Sequence, residues 1–201
     1  MYRRHSKRLF DLVVATLGLI VASPVMLVVA TAVWLLMGRP ILYRDRRPGL
    51  GERPFTIVKF RTMRLADHPL EIDTHRLTPL GRFLRRTSLD ELPQSWNILR
   101  GDMSVVGPRP LLWRYLPYYR PEERTRHNVR PGVTGWAQIH GRNEVDIDRR
   151  LMLDAWYVRN LSFALDMRIL LATFRMALRC KGVQVDPGAT ALNLDVLRSK
   201  S

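Results

Sequence analysis

The sequence predicts an α+β, mostly helical fold: an N-terminal re-entrant membrane helix–break–helix, a small β-hairpin, and amphipathic interfacial helices around a compact cytoplasmic domain. Three observations predict it. The first is a run without charge from Leu12 to Met37, with Ser23-Pro24 near its middle and basic residues on both flanks. The second is the change, after Gly38, to a charged chain punctuated by proline and glycine. The third is helical periodicity through the last third of the chain. The expected organisation is residues 1–38 as the membrane element, 39–183 as the cytoplasmic domain and 184–201 as a C-terminal tail.

The apolar run is long enough, at roughly 39 Å as a helix, to cross a bilayer core. A secretory signal is shorter and ends in a small-residue cleavage site, whereas this run continues into an arginine-rich stretch. Arg3, Arg4, Lys7 and Arg8 precede it, and Arg39, Arg44, Arg46 and Arg47 follow it. A single straight span places only one of those flanks on the cytoplasmic side. Proline at position 24 removes a backbone donor and crowds the preceding turn, and Ser23 is placed to bond a freed carbonyl. A re-entrant hairpin broken at Ser23 and Pro24 answers both observations. Asp11, beside Lys7 and Arg8, reads as a capping or paired acid at the interface.

Past the membrane element, residues 41–43 and 55–61 alternate like two strands around the Pro48-Gly49-Leu50-Gly51 turn. Alternation puts Phe55, Ile57, Lys59 and Arg61 on one face, so Lys59 and Arg61 project together, either into a site or simply into solvent. Residues 65–79 are polar and read as a loop or short helix. From Ser88 to Leu99 the apolar Leu89, Leu92, Trp96 and Leu99 recur at helical spacing, and Asp90, Glu91, Gln94 and Asn97 fall opposite. Ser88-x-x-Glu91 has the form of a capping box, and acids suit a first turn, so taken alone this acidic pair is explained as a helix cap. Pro93 allows the helix to start as late as Asp90.

The surroundings favour chemistry. Arg85, Arg86, Arg100 and Arg109 lie close in sequence, and Arg109 stands between Pro108 and Pro110, which fix its backbone direction. An aimed arginine suits bidentate phosphate binding, and a helix N-terminus attracts the same anion. The glycine-punctuated stretch from Arg130 to Asn143 offers further donors in Gln138, Arg142 and Asn143; its plainer reading is a turn around a buried Trp136. Between Arg149 and Arg179 the pattern is helical. Arg168, Arg175 and Arg179 share one flank opposite Ile169, Leu170, Thr173, Phe174 and Ala177, which fits an interfacial helix or an ordinary core helix. With 33 Lys and Arg against 18 Asp and Glu, the net charge of +15 calls for a polyanionic partner: nucleic acid, an anionic membrane or a phosphorylated small molecule. No nucleic-acid reader motif is present. The single cysteine, Cys180, excludes an intrachain disulfide, and without a Cys/His cluster a metal would be held by carboxylates, which favours magnesium or manganese.

The ordered motifs Lys7-Arg8-x-x-Asp11, Ser23-Pro24, Lys59-Phe60-Arg61-Thr62-Met63 and Thr87-Ser88-Leu89-Asp90-Glu91-Leu92-Pro93-Gln94 resemble those of the bacterial monotopic phosphoglycosyl transferases, or bacterial sugar transferases. So do Gly101 to Pro110, Arg130 to Gln138, Gly141-Arg142-Asn143 and Asp154-x-Trp156-Tyr157-Val158, the resemblance covering residues 6–182. It is to the short members, little more than the catalytic domain with its re-entrant helix; Asp45 departs from the glutamine of many relatives. The resemblance implies a magnesium-dependent enzyme that transfers a sugar 1-phosphate from a UDP-sugar to polyprenyl (undecaprenyl) phosphate, releasing UMP and initiating glycoconjugate assembly. It implies a ping-pong course, with Asp90 as nucleophile and a covalent aspartyl phospho-sugar. Glu91, with Asp90, would hold Mg2+, and Lys59, Arg61, Arg85, Arg109, Gln138, Arg142 and Asn143 would contact substrate. The implied location is the cytoplasmic face of the bacterial inner membrane. Expected partners are the two substrates, membrane lipids and, as one option, a second copy in a homodimer, with no nucleic acid. The competing expectation is a non-catalytic membrane protein that binds anionic lipid, its acidic pair only a cap.

Overall fold

A computed structural model of the chain describes residues 2, 6–66, 73–141, 146–179 and 194–198. Most of these are helical. Helix α1 (Lys7–Met37) is followed by strands β1 (Leu42–Pro48) and β2 (Pro54–Phe60), which pair antiparallel with Leu42 opposite Phe60 and Pro48 opposite Pro54. This is the predicted hairpin. Helices α2 (Asp73–Arg76) and α3 (Pro79–Thr87), a 3-10 turn at Leu89–Glu91 and α4 (Gln94–Arg100) come next. Strand β3 (Ser104–Val106) pairs in parallel with β4 (Gly132–Thr134) across the short α5 (Pro121–Arg124). Helices α6 (Trp136–Ile139), α7 (Ile147–Asn160), α8 (Phe163–Arg179) and α9 (Leu194–Arg198) complete the order.

Among the described residues α1 is the one helix long and apolar enough to cross a membrane. The break expected at Ser23-Pro24 is not there, because α1 runs through Pro24 as a continuous helix. The physical reason lies in Ser23. Pro24 has no N–H for the carbonyl of Ile20, and Ser23 Oγ donates to that carbonyl instead, at 2.8 Å. Both ends of α1 are fastened to the rest of the chain. Near its start Ala15 packs with Phe55, Ile57, Ile98 and Met103; near its finish Val29 and Val33 pack with Phe60 and Leu84. Between these anchors Leu17, Ile20, Val21, Leu27 and Val28 are exposed.

In the basic flank that precedes the apolar run, Lys7 and Arg8 are spent on internal bonds. Lys7 pairs with the buried Asp166 at 2.6 Å, and Arg8 forks onto the carbonyls of Ile98 and Leu99 at 2.6 and 2.9 Å. Those are last-turn carbonyls of α4, which a helix cannot bond itself. Asp11 accepts from Ser104 Oγ and Val105 N, both at 2.9 Å, so this border acid ties α1 to β3.

Between Ser88 and Leu99 the structure differs from the expected capped helix in two ways. Ser88 does not open a helix with a capping box; it closes α3 in the left-handed region at φ 58°, and α4 starts only after Pro93. Proline cannot supply the N–H that a longer helix would need here. The apolar stripe is also only partly inward. Leu89 and Leu92 pack against the Val33 cluster, but Trp96 is 55% exposed, while Asp90, Gln94 and Asn97 are buried. Asn97 explains the inversion: its Nδ2 donates to Thr56 O at 2.7 Å and its Oδ1 accepts from Val58 N at 3.1 Å. A helix side chain thereby satisfies backbone groups of β2 and fixes α4 against the strand. The tail, where nothing was legible, contributes α9: Leu194 is buried, and Arg198 bonds Glu123 at 2.7 and 2.8 Å.

Replacing Asn97 with alanine should strand two backbone groups of β2 at about 1–3 kcal/mol each. The melting temperature in detergent should fall by several degrees, whereas Trp96→Ala should leave it nearly unchanged.

Candidate active site

The acidic pair sits where three segments meet. The left-handed Ser88 turns the chain sharply, so that the 3-10 turn at Leu89–Glu91 lies against both α3 and β2. Asp90 is 8% exposed. Glu91 is met from two directions: Lys59 Nζ, on β2, approaches its Oε1 at 2.6 Å, and Arg109 places Nη2 on that same oxygen with Nη1 3.3 Å from Oε2. Arg109 reaches it because its loop is zipped to the neighbouring one. Gly107 N donates to Thr134 O at 2.8 Å and Gly132 N to Pro108 O at 2.9 Å. A Cβ on Gly132 would lie 2.1 Å from Gly107 N, so the close approach of the two loops requires glycine.

The two acids are electrostatically unlike. Burial pushes the Glu91 carboxyl up, but the charges and hydrogen bonds of Arg109 and Lys59 outweigh it and hold the group well below the usual carboxylate range. Asp90 goes the other way. Burial and the adjacent Glu91 charge raise it to about 6, with Lys59, Arg109 and Arg85 opposing. No described residue hydrogen-bonds or ion-pairs with the Asp90 carboxylate. The pair therefore comprises one neutralised acid and one open acid.

Of the expected substrate contacts, Lys59, Arg85 and Arg109 gather around Asp90 and Glu91. Arg85 is steadied by Thr62 Oγ1 at 3.0 Å from its Nε. Arg61 is drawn elsewhere: it is buried, and it donates to the carbonyls of Met37, Gly38 and Arg39, capping the C-terminus of α1. Strand alternation put it on the same face as Lys59, but unsatisfied helix carbonyls claim it first. Gln138 donates to Val133 O at 2.8 Å. Arg142 and Asn143 lie outside the described residues. Trp136 is buried, as its plainer reading has it, and it stacks on Trp156 at 4.8 Å with Arg168 over its ring. Arg126 and Asp154, behind Arg109, were missed as site residues; the only sequence signal was Asp154 within its motif.

For a metal, no group of three or more His, Cys, Asp or Glu converges among the described residues. The donors at the site are Asp90, which is open, and Glu91, whose oxygens already serve two cations. Magnesium keeps several waters and is commonly held by one or two carboxylates plus substrate phosphates, so this sparse set fits it. The fit places the open donor at Asp90 and gives Glu91 mainly the task of holding Lys59 and Arg109.

A family model described as bacterial sugar transferase matches residues 2–180. The chain is 48% identical to the uncharacterized sugar transferase EpsL of Bacillus subtilis, over 92% of this chain and 93% of that one. It is 42% identical to a UDP-glucose:undecaprenyl-phosphate glucose-1-phosphate transferase of Klebsiella pneumoniae and 39% identical to an undecaprenyl-phosphate galactose phosphotransferase of Salmonella typhimurium. It covers 83% and 89% of its own length in those two matches, but spans only 39% and 42% of those longer relatives.

Because the folded Asp90 has a raised pKa, its stabilising contribution is complete below the unfolded value near 3.8 and is lost as pH rises towards about 6. Asp90→Asn, which cannot ionise, should match the wild type below pH 4 and be more stable at pH 8, by roughly 1–3 kcal/mol. Paired thermal melts at the two pH values check this.

Proposed function

The chain belongs to the bacterial sugar transferase family, and from that premise we propose that it moves a sugar 1-phosphate from a UDP-sugar onto polyprenyl phosphate. The observation that carries this reading is the division of the acidic pair: Glu91 is neutralised by Lys59 and Arg109, while the buried Asp90 has no partner among the described residues. A carboxylate attacks a phosphorus atom only when its repulsion from the substrate's charge is offset. Lys59, Arg85 and Arg109 supply that offset beside Asp90, and Glu91 keeps two of them in place.

The proposed course has two displacements. An Asp90 oxygen bonds to the β-phosphorus of the UDP-sugar as the bond to the bridging oxygen breaks, and UMP leaves with that oxygen. An oxygen of polyprenyl phosphate then bonds to the same phosphorus, Asp90 departs as carboxylate, and polyprenyl-diphosphate-sugar is released. Magnesium, when bound, supplies further neutralisation of the diphosphate, and Asp90 is the residue that would hold it. Arg109 is suited to orient the diphosphate through its planar fork, and Arg85 to approach from α3.

The same proposal, without the break at Ser23-Pro24, keeps both ends of α1 on the cytoplasmic face of the inner membrane. Support comes from β2, whose Phe55 belongs to the cluster around Ala15 and whose Phe60 belongs to the cluster around Val29 and Val33. A strand of seven residues is about 23 Å long, shorter than the roughly 30 Å hydrocarbon core. One short strand touching both ends of α1 favours ends on one side. The active site would then lie at the depth of the lipid phosphate.

Purified protein with UDP-sugars, undecaprenyl phosphate and Mg2+ should release UMP, and Asp90→Asn should abolish release although the protein stays folded. Retained turnover in that variant would sink the nucleophile assignment. Single cysteines placed before Leu12 and after Met37 should be labelled from the same side of the membrane; labelling from opposite sides would exclude the re-entrant topology.

A further inference from the structure

The grip of Arg109 on Glu91 depends on where its main chain is held, and that chain is held from behind. Arg126 Nη2 donates to the backbone carbonyl of Arg109 at 2.6 Å, and the same nitrogen pairs with Asp154 Oδ2 at 2.7 Å. The other fork nitrogen of Arg126, Nη1, donates to Tyr119 Oη at 2.9 Å. Both charged side chains of the pair are only 1% exposed, whereas the Arg109 side chain is 36% exposed. The buried residues are therefore the fixed frame, and the phosphate-facing arginine projects from it.

The pair is a poor device for stability alone. Arg126 Nε and Asp154 Oδ1 are both buried without a partner, and an incompletely satisfied buried ion pair is commonly no better than apolar residues of similar volume. Its geometry suits another purpose. Arg126 bears a charge like that of Arg109, and Asp154 cancels it, so Arg126 can sit against the loop without driving the other guanidinium away. Arg150, on α7 with Asp154, faces the same group of charges. We propose that Arg126 and Asp154 are positioning residues: their ion pair fixes the Arg109 main chain so that its guanidinium meets Glu91 and the substrate diphosphate. The proposal rests on the transfer reading above for its substrate.

The test is a double-mutant cycle on the full chain, with turnover of UDP-sugar, equilibrium binding of UDP and thermal melting as readouts. Arg126→Met combined with Asp154→Leu removes the pair but keeps its volume, so melting should hold or rise. Its kcat/KM should nonetheless fall about tenfold to a hundredfold, the effect of a misplaced contact, and UDP should bind more weakly. In an Arg109→Ala background the same replacement should cost nothing further, because its target is already gone. Tyr119→Phe, which leaves the bond to the Arg109 carbonyl, should keep wild-type kcat/KM. An additive loss, or a pair variant within about twofold of wild type, overturns the proposal. Should the pair variant not fold, Arg126→Lys, which lacks the fork, goes through the same cycle, where non-additive loss supports positioning and additive or negligible loss overturns it. If the wild type turns nothing over but UDP affinity shows the Arg109–Arg126 coupling, positioning stands and the transfer reading falls. Absence of both turnover and UDP binding overturns the two together.

Discussion

A largely buried carboxylate has to be compensated, and Glu91, its side chain 15% exposed, is compensated twice, by Lys59 from β2 and by Arg109 from the loop beyond β3. Those partners lie 32 and 18 residues away in sequence, so neutralising one acid joins the hairpin, the 3-10 turn and the loop at a single point. Other constraints serve that junction. Asn97 fixes α4 against the strand that carries Lys59. The Gly107–Gly132 crossing and the carbonyl bond from Arg126 fix the loop that carries Arg109. With Glu91 fully occupied, Asp90 is left buried, beside a negative neighbour and without a partner among the described residues. Of the two acids, it is the one whose carboxylate no described residue engages.

The apolar helix α1 is part of the same construction. Arg8 caps α4, which directly follows the acidic pair, and Arg61, one residue past β2, caps α1. Each arginine satisfies carbonyls that a helix end leaves open, and each does so in a different element from its own. The start of α1 is thus tied to the turn that carries the acidic pair through a short helix, and its finish is tied to the Lys59 strand. Residues that look like surface charges flanking an apolar segment serve as internal fasteners.

Much of this was legible in the sequence because it rests on local rules. The hairpin follows from alternation around Pro48-Gly49-Leu50-Gly51, and the carbonyl bond of Ser23 follows from the donor that Pro24 lacks. Asp90, Glu91, Lys59, Arg85 and Arg109 are short-range motifs that the fold brings together. The misreadings have a common cause, which is competition for a partner distant in sequence. Arg61 shares a strand face with Lys59, yet open helix carbonyls take it. Ser88 has the form of a cap but takes a left-handed turn because Pro93 delays the next helix. Arg126 carried no local signal, since its role is defined by a carbonyl 17 residues earlier and a carboxylate 28 residues later.

Trp96 shows a different failure, and it bears on the setting of the enzyme. Helical spacing placed it in a core with Leu89 and Leu92, but it faces outward, as do Phe83, Leu17, Ile20, Val21, Leu27 and Val28. Periodicity identifies an apolar face without saying what covers it. Each such side chain left in water forgoes roughly 1.5–3 kcal/mol relative to burial, and several together match the 5–15 kcal/mol that ordinarily separates folded from unfolded chains. A surface of this kind calls for a cover, and the proposed re-entrant topology supplies hydrocarbon for that purpose. Trp96 lies five residues from Glu91 along the chain, so a cover that reaches Trp96 brings the lipid interface to within one short helix of the acidic pair. The acceptor in the proposed reaction, a phosphate on a polyprenyl chain, occupies that interface. The exposed tryptophan and the buried, open aspartate then answer one requirement: a phosphoryl acceptor that remains in its membrane must find the nucleophile's intermediate at the membrane's edge.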